Sequence, residues 1–498
     1  MTPAMRPEPQ SVLLDELART LGIPAAGQDA AVTGVTLDSR AVVPGDLYAA
    51  LPGHVTHGAR FASAAVSAGA AAVLTDPAGA EQCVGLGVPV LVVEEPRARL
   101  GSVASRIYGN PAAGLQLIGV TGTNGKTTVS SMIESGLSAA GIVSGLIGTI
   151  GVHMGSARFE GARTTPESSD LHAILAVMRE SGVTSVVMEV SSIALEEHRV
   201  DAVVYDVAAF TNLSQDHLDY HGSMTGYFDA KRRLFTRQHA RLGIIGIDDD
   251  WGRRLAASCE IPAQTWSLND PRADWHARRV DRGVVISGPE DESDPVALAM
   301  PGSFNIANAV CAYAVLRVAG VDRESAARGV AQARVPGRMQ VVGDPAGILG
   351  IVDYAHSPDA IERVLTSVRR ETGGRVIAVI GAGGDRDRSK RALMGRTAAG
   401  LSDVLIITDD NPRSEDPALI REAILEGTRQ VAPARRAEIR EVADRGVAVT
   451  VAVGTAERGD VVLVLGKGHE QGQEMAGVVT PFDDATVLAA ALARRSAS

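Results

Sequence analysis

The sequence predicts an α/β protein of three domains, the central one of P-loop type and the last a Rossmann-like, doubly wound sheet. Three observations predict this. Short apolar runs alternate along the chain with segments whose apolar residues recur at helical spacing. One glycine-containing turn, at 119–128, joins such a run to such a segment. Toward the C-terminus three apolar runs each break into a polar loop, as strands do at the ligand-binding edge of open α/β sheets. With 498 residues and about 150 per domain, one core is too few.

Composition narrows the partners. Hydrophobic residues at 45% suffice for burial, and a formal charge of −11 argues against a nucleic-acid surface. Cys83, Cys259 and Cys311 lie too far apart in sequence for metal spacing or a disulfide framework, which fits a reduced, cytoplasmic compartment. Met1 to Gln10 lacks an apolar core, so a signal peptide is not expected, and the absence of an 18-residue apolar run predicts no membrane span.

Residues 1–112 form the first expected domain. Strands are expected at 32–37, 47–51, 71–74 and 90–93, with a helix over 59–68. Between them lie polar loops that carry Ser39, Arg40, His54 and His57. Each histidine alone reads as a solvated loop residue. Asn110-Pro111 marks a hinge.

Residues 113–337 form the second. The run 115–120 is a buried strand, and Val129, Met132, Ile133 and Leu137 space a helix from 128 to 141. A turn between them aims backbone N–H groups at one spot, which is also the positive end of the helix dipole and so suits a phosphate. Lys126 adds a point charge and Thr127 a hydroxyl for Mg²⁺. Val120 stands where a standard Walker motif has its first glycine. Strands are expected at 143–150, 183–190 and 203–211, with a helix over 170–180. Glu189 sits at the end of one strand, and the polar loop 212–221 with His217 follows another. Oxygen and imidazole groups there suit Mg²⁺ and phosphate.

In the expected helix 227–235, Phe228, Lys231 and Leu234/Phe235 share a face, with Arg232 and Arg233 pointing elsewhere. A lysine on an apolar face must snorkel, pair, or lose its charge; a neutral amine could take up CO₂ as a carbamate. Strands at 242–247 and 284–286 are separated by polar segments, and 301–308 opens a helix to 318. The linker is 335–338.

Residues 338–498 form the third. Strands at 348–352, 376–380, 404–408 and 461–465 are expected, with a helix carrying Ile361, Val364, Leu365 and Val368. The polar loops after the last three should converge on one crevice. The loop 381–386 fails the dinucleotide fingerprint, because Arg386 holds its last glycine position.

These residues carry a resemblance. Gly122-Thr-Asn-Gly-Lys-Thr-Thr128, Met188-Glu-Val-Ser-Ser192, the loop from Thr211 to His221, the segment 227–235, and Asn305 with Asn308 follow the order found in the Mur ligase family. Gly384-Asp-Arg386, Asp410-Asn-Pro-Arg413 and Gly466-Lys-Gly-His-Glu470 resemble its diaminopimelate-adding branch. The similarity runs nearly end to end.

The resemblance implies domains for the UDP end of a substrate (1–112), for ATP (113–337) and for an incoming amino acid (338–498). The implied reaction has ATP phosphorylate the D-glutamate carboxylate of UDP-N-acetylmuramoyl-L-alanyl-D-glutamate, and the amine of meso-diaminopimelate displace phosphate. Residue by residue it implies ATP contacts at Gly122, Thr123, Asn124, Gly125, Lys126, Thr127, Thr128, Asn305, Asn308, Arg338 and Asp353. Mg²⁺ falls to Thr127, Glu189, His217 and Lys231, the last as its carbamate, N6-carboxylysine. Lys126, Glu189, His217 and Lys231 are the catalytic set. The muramoyl dipeptide maps to Leu37, Ser39, His54, Val55, Thr56, Thr164, Thr165, Ser191, Glu197 and Arg199.

Diaminopimelate maps to Arg386, Asp410, Asn411, Pro412, Arg413, Gly466 and Glu470. It has a second carboxylate that lysine lacks, and Arg413 is its natural bidentate partner. Two departures stand out: Ile193 where the family usually has histidine, and Glu197 where some members carry glutamine. A lysine-adding or folylpolyglutamate-type ligase is the neighbouring reading. A switch that binds ATP without turnover is the reading of another class, and Glu189, His217 and Lys231 argue against it.

Overall fold

The computed structural model describes residues 6–25, 30–53, 55–161, 163–280, 283–343 and 347–496. These fall into two compact units. The first takes the chain up to Arg278 with Val285–Pro295 and Val310–Val330; the second takes Arg279–Val284, Val296–Ala309 and the chain from Ala331.

The first unit holds a parallel sheet in the order Gly34–Thr36, Asp46–Ala49, Ala72–Thr75, Val90–Val92. Helices Leu14–Leu21 and Pro96–Ile107 cover one face, where Leu17, Leu100 and Val103 pack with Leu47 and Leu74. Ala173 and Ala176 of helix Ser168–Glu180 complete that core. The Asn110-Pro111 turn is tied on both sides. Asn110 N–H donates to the Ser105 carbonyl at 2.7 Å, and Arg179 Nη1 to that of Gly109 at 3.1 Å.

The larger sheet has a parallel centre in the order Ser144–Gly148, Ser185–Glu189, Gln116–Thr121, Tyr205–Phe210, Ala240–Gly246, Ala263–Ser267. Its middle strands are buried on both faces, which is why they read as unbroken apolar runs. Glu189 is registered opposite Val120, and Phe210 opposite Thr121. The turn after Thr121, the Glu189 carboxylate and the loop from Thr211 therefore leave the sheet at one edge.

Several expectations need correction. The strand expected at 143–150 is Ser144–Gly148, ending two residues early where the chain turns into the antiparallel Gly151–Met154 and Ala157–Phe159. Between 247 and 300 the polar segments hold helix Asp250–Ser258 and strands Ala263–Ser267, Trp275–Val280 and Ser293–Val296. These strands lie toward the side of the sheet, and Trp275–Val280 ends in exposed Arg278 and Arg279, so no apolar run announced it. The helix after the glycine turn is Lys126–Ala139, starting two residues early because Gly125 supplies its left-handed entry at φ 90°.

The second unit is doubly wound. Its sheet runs Gln340–Gly343, Leu349–Asp353, Val461–Leu465, Val376–Ile380, Val404–Ile407, Glu438–Glu441, parallel except for the first strand. Alternate residues serve two cores. Ala378, Leu405 and Leu463 face Ile361, Leu365 and Met394, while Ile377, Ile406 and Val464 face Val449, Leu488 and Leu492. Among the described residues no helix is long and apolar enough to cross a membrane.

Candidate active site

The glycine turn is held open by its neighbours. Thr123 N–H donates to the Asn212 carbonyl at 2.9 Å, and Asn124 N–H to Asn212 Oδ1 at 3.2 Å. Thr211 Oγ1 donates to the Asn124 carbonyl at 2.6 Å. Gly122 has φ 146°, and a Cβ there would lie 1.9 Å from Thr211 Oγ1, so only glycine fits. Among the described residues no side-chain hydrogen bond caps the helix at Gly125, and a helix N-terminus favours an anion.

Two lysines converge on this turn. Lys126 Nζ donates to the carbonyls of Gly122 at 2.9 Å and Thr123 at 3.0 Å, and Lys231 Nζ donates to the same Gly122 carbonyl at 2.8 Å. Lys231 is 1% exposed, on the buried face of helix Met224–Arg232 with Phe228. Its Nζ sits 4.5 Å from the centre of the Tyr227 ring. Burial, then repulsion from Lys126, drives its pKa well below the ordinary lysine value, with Asp216 opposing weakly. At an effective dielectric of about 20, two unit charges about 5 Å apart repel by about 3 kcal/mol. Snorkelling is ruled out by this burial, and the surroundings favour the neutral amine over the ammonium.

Glu189 is fully buried at the sheet edge. Its Oε2 accepts from Thr127 Oγ1 at 3.0 Å and Thr149 Oγ1 at 3.1 Å, and its Oε1 accepts from Thr149 N–H at 2.8 Å. His217 has φ 51°, a side chain 48% exposed, and a ring edge-on to Tyr227 at 6.1 Å. Partial burial, then the charges of Lys126 and Lys231, lower its pKa against the pull of Asp216. Phosphate turn, buried amine, carboxylate and imidazole thus share one sheet edge.

Beside it lies a second group of residues. Thr165 Oγ1 donates to the Glu189 carbonyl at 2.8 Å and accepts from Ser191 N–H at 3.1 Å, while Thr164 Oγ1 lies 3.1 Å from Thr149 Oγ1. Ser191 Oγ caps helix Ser192–Glu196. Ile193 is half-buried in that helix, and the imidazole that reaches the paired serines is His221, Nε2 to Ser192 Oγ at 2.9 Å. Arg199 Nε lies 3.0 Å from Glu167 Oε1, and Tyr220 donates to Glu197 Oε1 at 2.8 Å.

At the first sheet, Leu37 and Ser39 follow strand Gly34–Thr36 and are half-buried; Val55 and Thr56 are exposed. His54 lies outside the described residues. His57 is a loop staple, with Nε2 3.0 Å from Asp76 Oδ1.

In the second unit Asn305 and Asn308 are buried on one helix face, Asn308 Nδ2 donating to Asn305 Oδ1 at 3.1 Å. Asp353 is buried and accepts from Met339 N–H at 2.7 Å and Ala355 N–H at 2.8 Å; burial raises its pKa against the charge of Arg338. Arg338 stacks 4.4 Å from the Tyr354 ring centre.

The expected convergence of three loops occurs there. Asn411 Nδ2 donates to Glu470 Oε2 at 2.7 Å, and the fully buried Lys467 Nζ donates to Asn411 Oδ1 at 2.9 Å and Glu470 Oε2 at 3.2 Å. Gly466, at φ 117°, lies so close to Asp410 that a Cβ would be 2.6 Å from its Oδ2. Gly384 N–H donates to the Asn411 carbonyl at 2.9 Å, and Arg413 Nη1 donates to the Gly384 carbonyl at 2.7 Å. Pro412 separates these anchors in the same loop. Arg413 Nε is 3.4 Å from Glu474 Oε2, and Arg386 is exposed at the rim.

Sequence reasoning assigned no role to Thr149, Tyr227, Asn212 and Lys467, which hold the named residues in place. It also missed the buried pair Arg445–Asp484. Arg445 makes two 2.7 Å bonds to the carboxylate and donates to the Leu465 carbonyl at 2.9 Å. Lys467 had a signal, a lysine between two glycines after a buried strand; Asp484, 39 residues from its partner, had none.

Comparison with known proteins matches three family models in order: Mur ligase family, catalytic domain over 31–108; Mur ligase middle domain over 120–316; and Mur ligase, glutamate ligase domain over 337–468. UDP-N-acetylmuramoyl-L-alanyl-D-glutamate–2,6-diaminopimelate ligase of Streptomyces coelicolor is 50% identical over 96% of each chain. Its namesake from Pseudomonas aeruginosa is 41% identical over 94% of this chain and 97% of that one. A solved structure of a ligase with this name superposes with a TM-score of 0.70 at 32% identity, covering 98% of this chain and 99% of the other. MurF ligase from Thermotoga maritima in complex with ADP shares the fold, with a TM-score of 0.63 at 18% identity over 93% and 98%.

Proposed function

The chain belongs to the Mur ligase family, and on that premise we propose that it uses ATP to add meso-2,6-diaminopimelate to UDP-N-acetylmuramoyl-L-alanyl-D-glutamate, a step of peptidoglycan precursor synthesis. The observation that carries this reading is 50% identity across 96% of the chain to a ligase of that name. In this reading residues 1–112 take the UDP end, 113–337 take ATP and 338–498 take the amino acid, with the cytoplasm as the compartment.

A carboxylate is a poor electrophile until one oxygen becomes a leaving group. The γ-phosphoryl of ATP passes to the D-glutamyl carboxylate, leaving ADP and an acyl phosphate. The free amine of diaminopimelate attacks the acyl carbon, the C–N bond forms, phosphate leaves, and the amine gives up a proton. The helix start at Lys126 holds phosphate oxygens, and the Lys126 ammonium, which donates to the carbonyls of Gly122 and Thr123, supplies charge to them. Asn305, Asn308, Arg338 and Asp353 serve the nucleoside side. Thr164, Thr165, Ser191, Glu197 and Arg199 present the acid, with Leu37, Ser39 and His54 to Thr56 on the UDP end. Arg386, Asp410 to Arg413, Gly466 and Glu470 read the amino acid.

The residues present fit Mg²⁺ by donor chemistry. Thr127 and Glu189 offer oxygens 3.0 Å apart, His217 offers a nitrogen, and Lys231 offers oxygens once its amine has added CO₂ with loss of a proton. Thr127, Glu189, His217 and the Lys231 carbamate are the residues that would hold the ion. The chemistry Mg²⁺ supplies here is screening of the two anions that must approach each other.

Release of ADP measured with meso-diaminopimelate, L-lysine or no amino acid tests the reading. Turnover with diaminopimelate alone is expected, together with transfer of ¹⁸O from the labelled peptide carboxylate to phosphate. Equal turnover with lysine, or unlabelled phosphate, overturns it.

A further inference from the structure

Beside the acid-presenting residues lies a charged group that no motif announced. Glu167 accepts from Arg163 Nη1 on one oxygen and from Arg97 Nη1 at 3.1 Å on the other, and Arg199 Nε lies 3.0 Å from the first oxygen as an ion pair without a hydrogen bond. The same Arg97 nitrogen lies 3.4 Å from Glu197 Oε2. Three guanidiniums therefore face two carboxylates. Arg97 is 30% exposed, Glu167 15% and Glu197 14%, so solvent screens this group only in part.

Arg97 comes from the first domain. It occupies the first turn of helix Pro96–Ile107, where the dipole disfavours a cation, so helix stability does not explain it. One turn further on, Gly101 packs so tightly that a Cβ would meet the Asp201 carbonyl at 2.4 Å. That close approach seats the helix on the turn carrying Glu197 and Arg199. Glu197 adds a second carboxylate to the group, and left uncompensated it would repel an incoming acid.

We propose that Arg97 is a positioning residue for the UDP-linked dipeptide, neutralising Glu197 and, through Glu167, aiming Arg199 at the substrate's carboxylate. The proposal rests on the function proposed above. It makes the first domain read both ends of this substrate, the nucleotide and the acid. The net positive charge of the group is then balanced by the ligand.

Calorimetric titration of the full-length protein with UDP-N-acetylmuramoyl-L-alanyl-D-glutamate, without ATP, is the test. Arg97→Gln should weaken binding about 10-fold, Arg97→Lys by less, and Arg97→Gln with Glu197→Gln should recover most of the loss. Affinity for ATP should stay within about 2-fold in every variant, a selectivity that a merely structural role would not give. Unchanged dipeptide affinity in Arg97→Gln, no recovery in the double variant, or parallel loss of ATP binding overturns the proposal. Failure of the functional reading is separate: the wild-type chain would then bind no dipeptide or release no ADP with it.

Discussion

The two ligand-facing regions handle charge in opposite ways. At the phosphate turn Lys126 and Lys231 rest on backbone carbonyls, with the aromatic face of Tyr227 beneath Lys231. In the C-terminal loops the buried cations face carboxylates: Lys467 faces Glu470, Arg391 faces Glu415 and Arg445 faces Asp484. The first rests its amines on backbone carbonyls beside a helix N-terminus, an end that favours an anion. The second is balanced internally and suits a zwitterion, which brings both signs with it. One chain thus rests one set of amines on backbone carbonyls and pairs another set of cations with carboxylates.

The strongest challenge to this contrast is Asp484→Ala. Both partners of Arg445–Asp484 are fully buried, and removing one leaves an unpaired buried charge at a cost of about 3–5 kcal/mol. Urea unfolding should register that loss, and a cost below about 1 kcal/mol would make the pair dispensable. Lys231→Ala should behave differently, because the amine it removes rests on a carbonyl and leaves no buried carboxylate stranded. Stability should hold while turnover falls about 10³-fold, near 4 kcal/mol of barrier, with partial recovery in added propionate. Full activity in Lys231→Ala would remove the carbamate from the account.

Acid should separate the regions further. His172 in the first unit is buried, which lowers its pKa to about 4. Burial likewise lowers His217, His221 and His239, all in that unit. A histidine whose pKa is depressed in the folded state stabilises the fold above its unfolded value near 6.5 and loses that contribution as pH falls toward the folded value. For His172 the window is therefore pH 6.5 to about 4, worth up to about 3 kcal/mol. In the second unit Arg391 holds Glu415 down to about 2, so that pair survives the same window. Hydrogen exchange of the whole chain at pH 7 and pH 5 should show protection lost first in the first unit. Uniform loss would erase the distinction.

The smallest effect expected is that of Arg413→Lys, which keeps charge but gives up planar recognition of a carboxylate. KM for diaminopimelate should rise about 10-fold at unchanged kcat, near 1.4 kcal/mol, and an unchanged KM would detach Arg413 from specificity.

Much of the candidate site was legible because its groups lie in contiguous runs. Gly122 to Thr128 needs only local geometry to face an anion, and Glu189 needs only to end a strand. The apolar face holding Phe228 and Lys231 follows from helical spacing, and the structure buries both. The side strands Trp275–Val280 and Ser293–Val296 were not legible, because a strand with one open face carries charges that break the apolar run. Nor was the burial of Lys231, since spacing gives a direction but not a depth.

The chain's own order of residues determined the alternation of strands and helices, the glycine turn ahead of Lys126 and the loops that follow each buried strand. Those are short-range properties, set by backbone sterics and by the period of apolar side chains. Only the tertiary structure decided that Lys126 and Lys231 share one carbonyl, that Arg97 crosses to Glu167 and Glu197, and that Asp484 is the counter-ion of Arg445. Electrostatics acts over a few ångströms of space whatever the separation in sequence, and folding is what brings those charges within reach of one another.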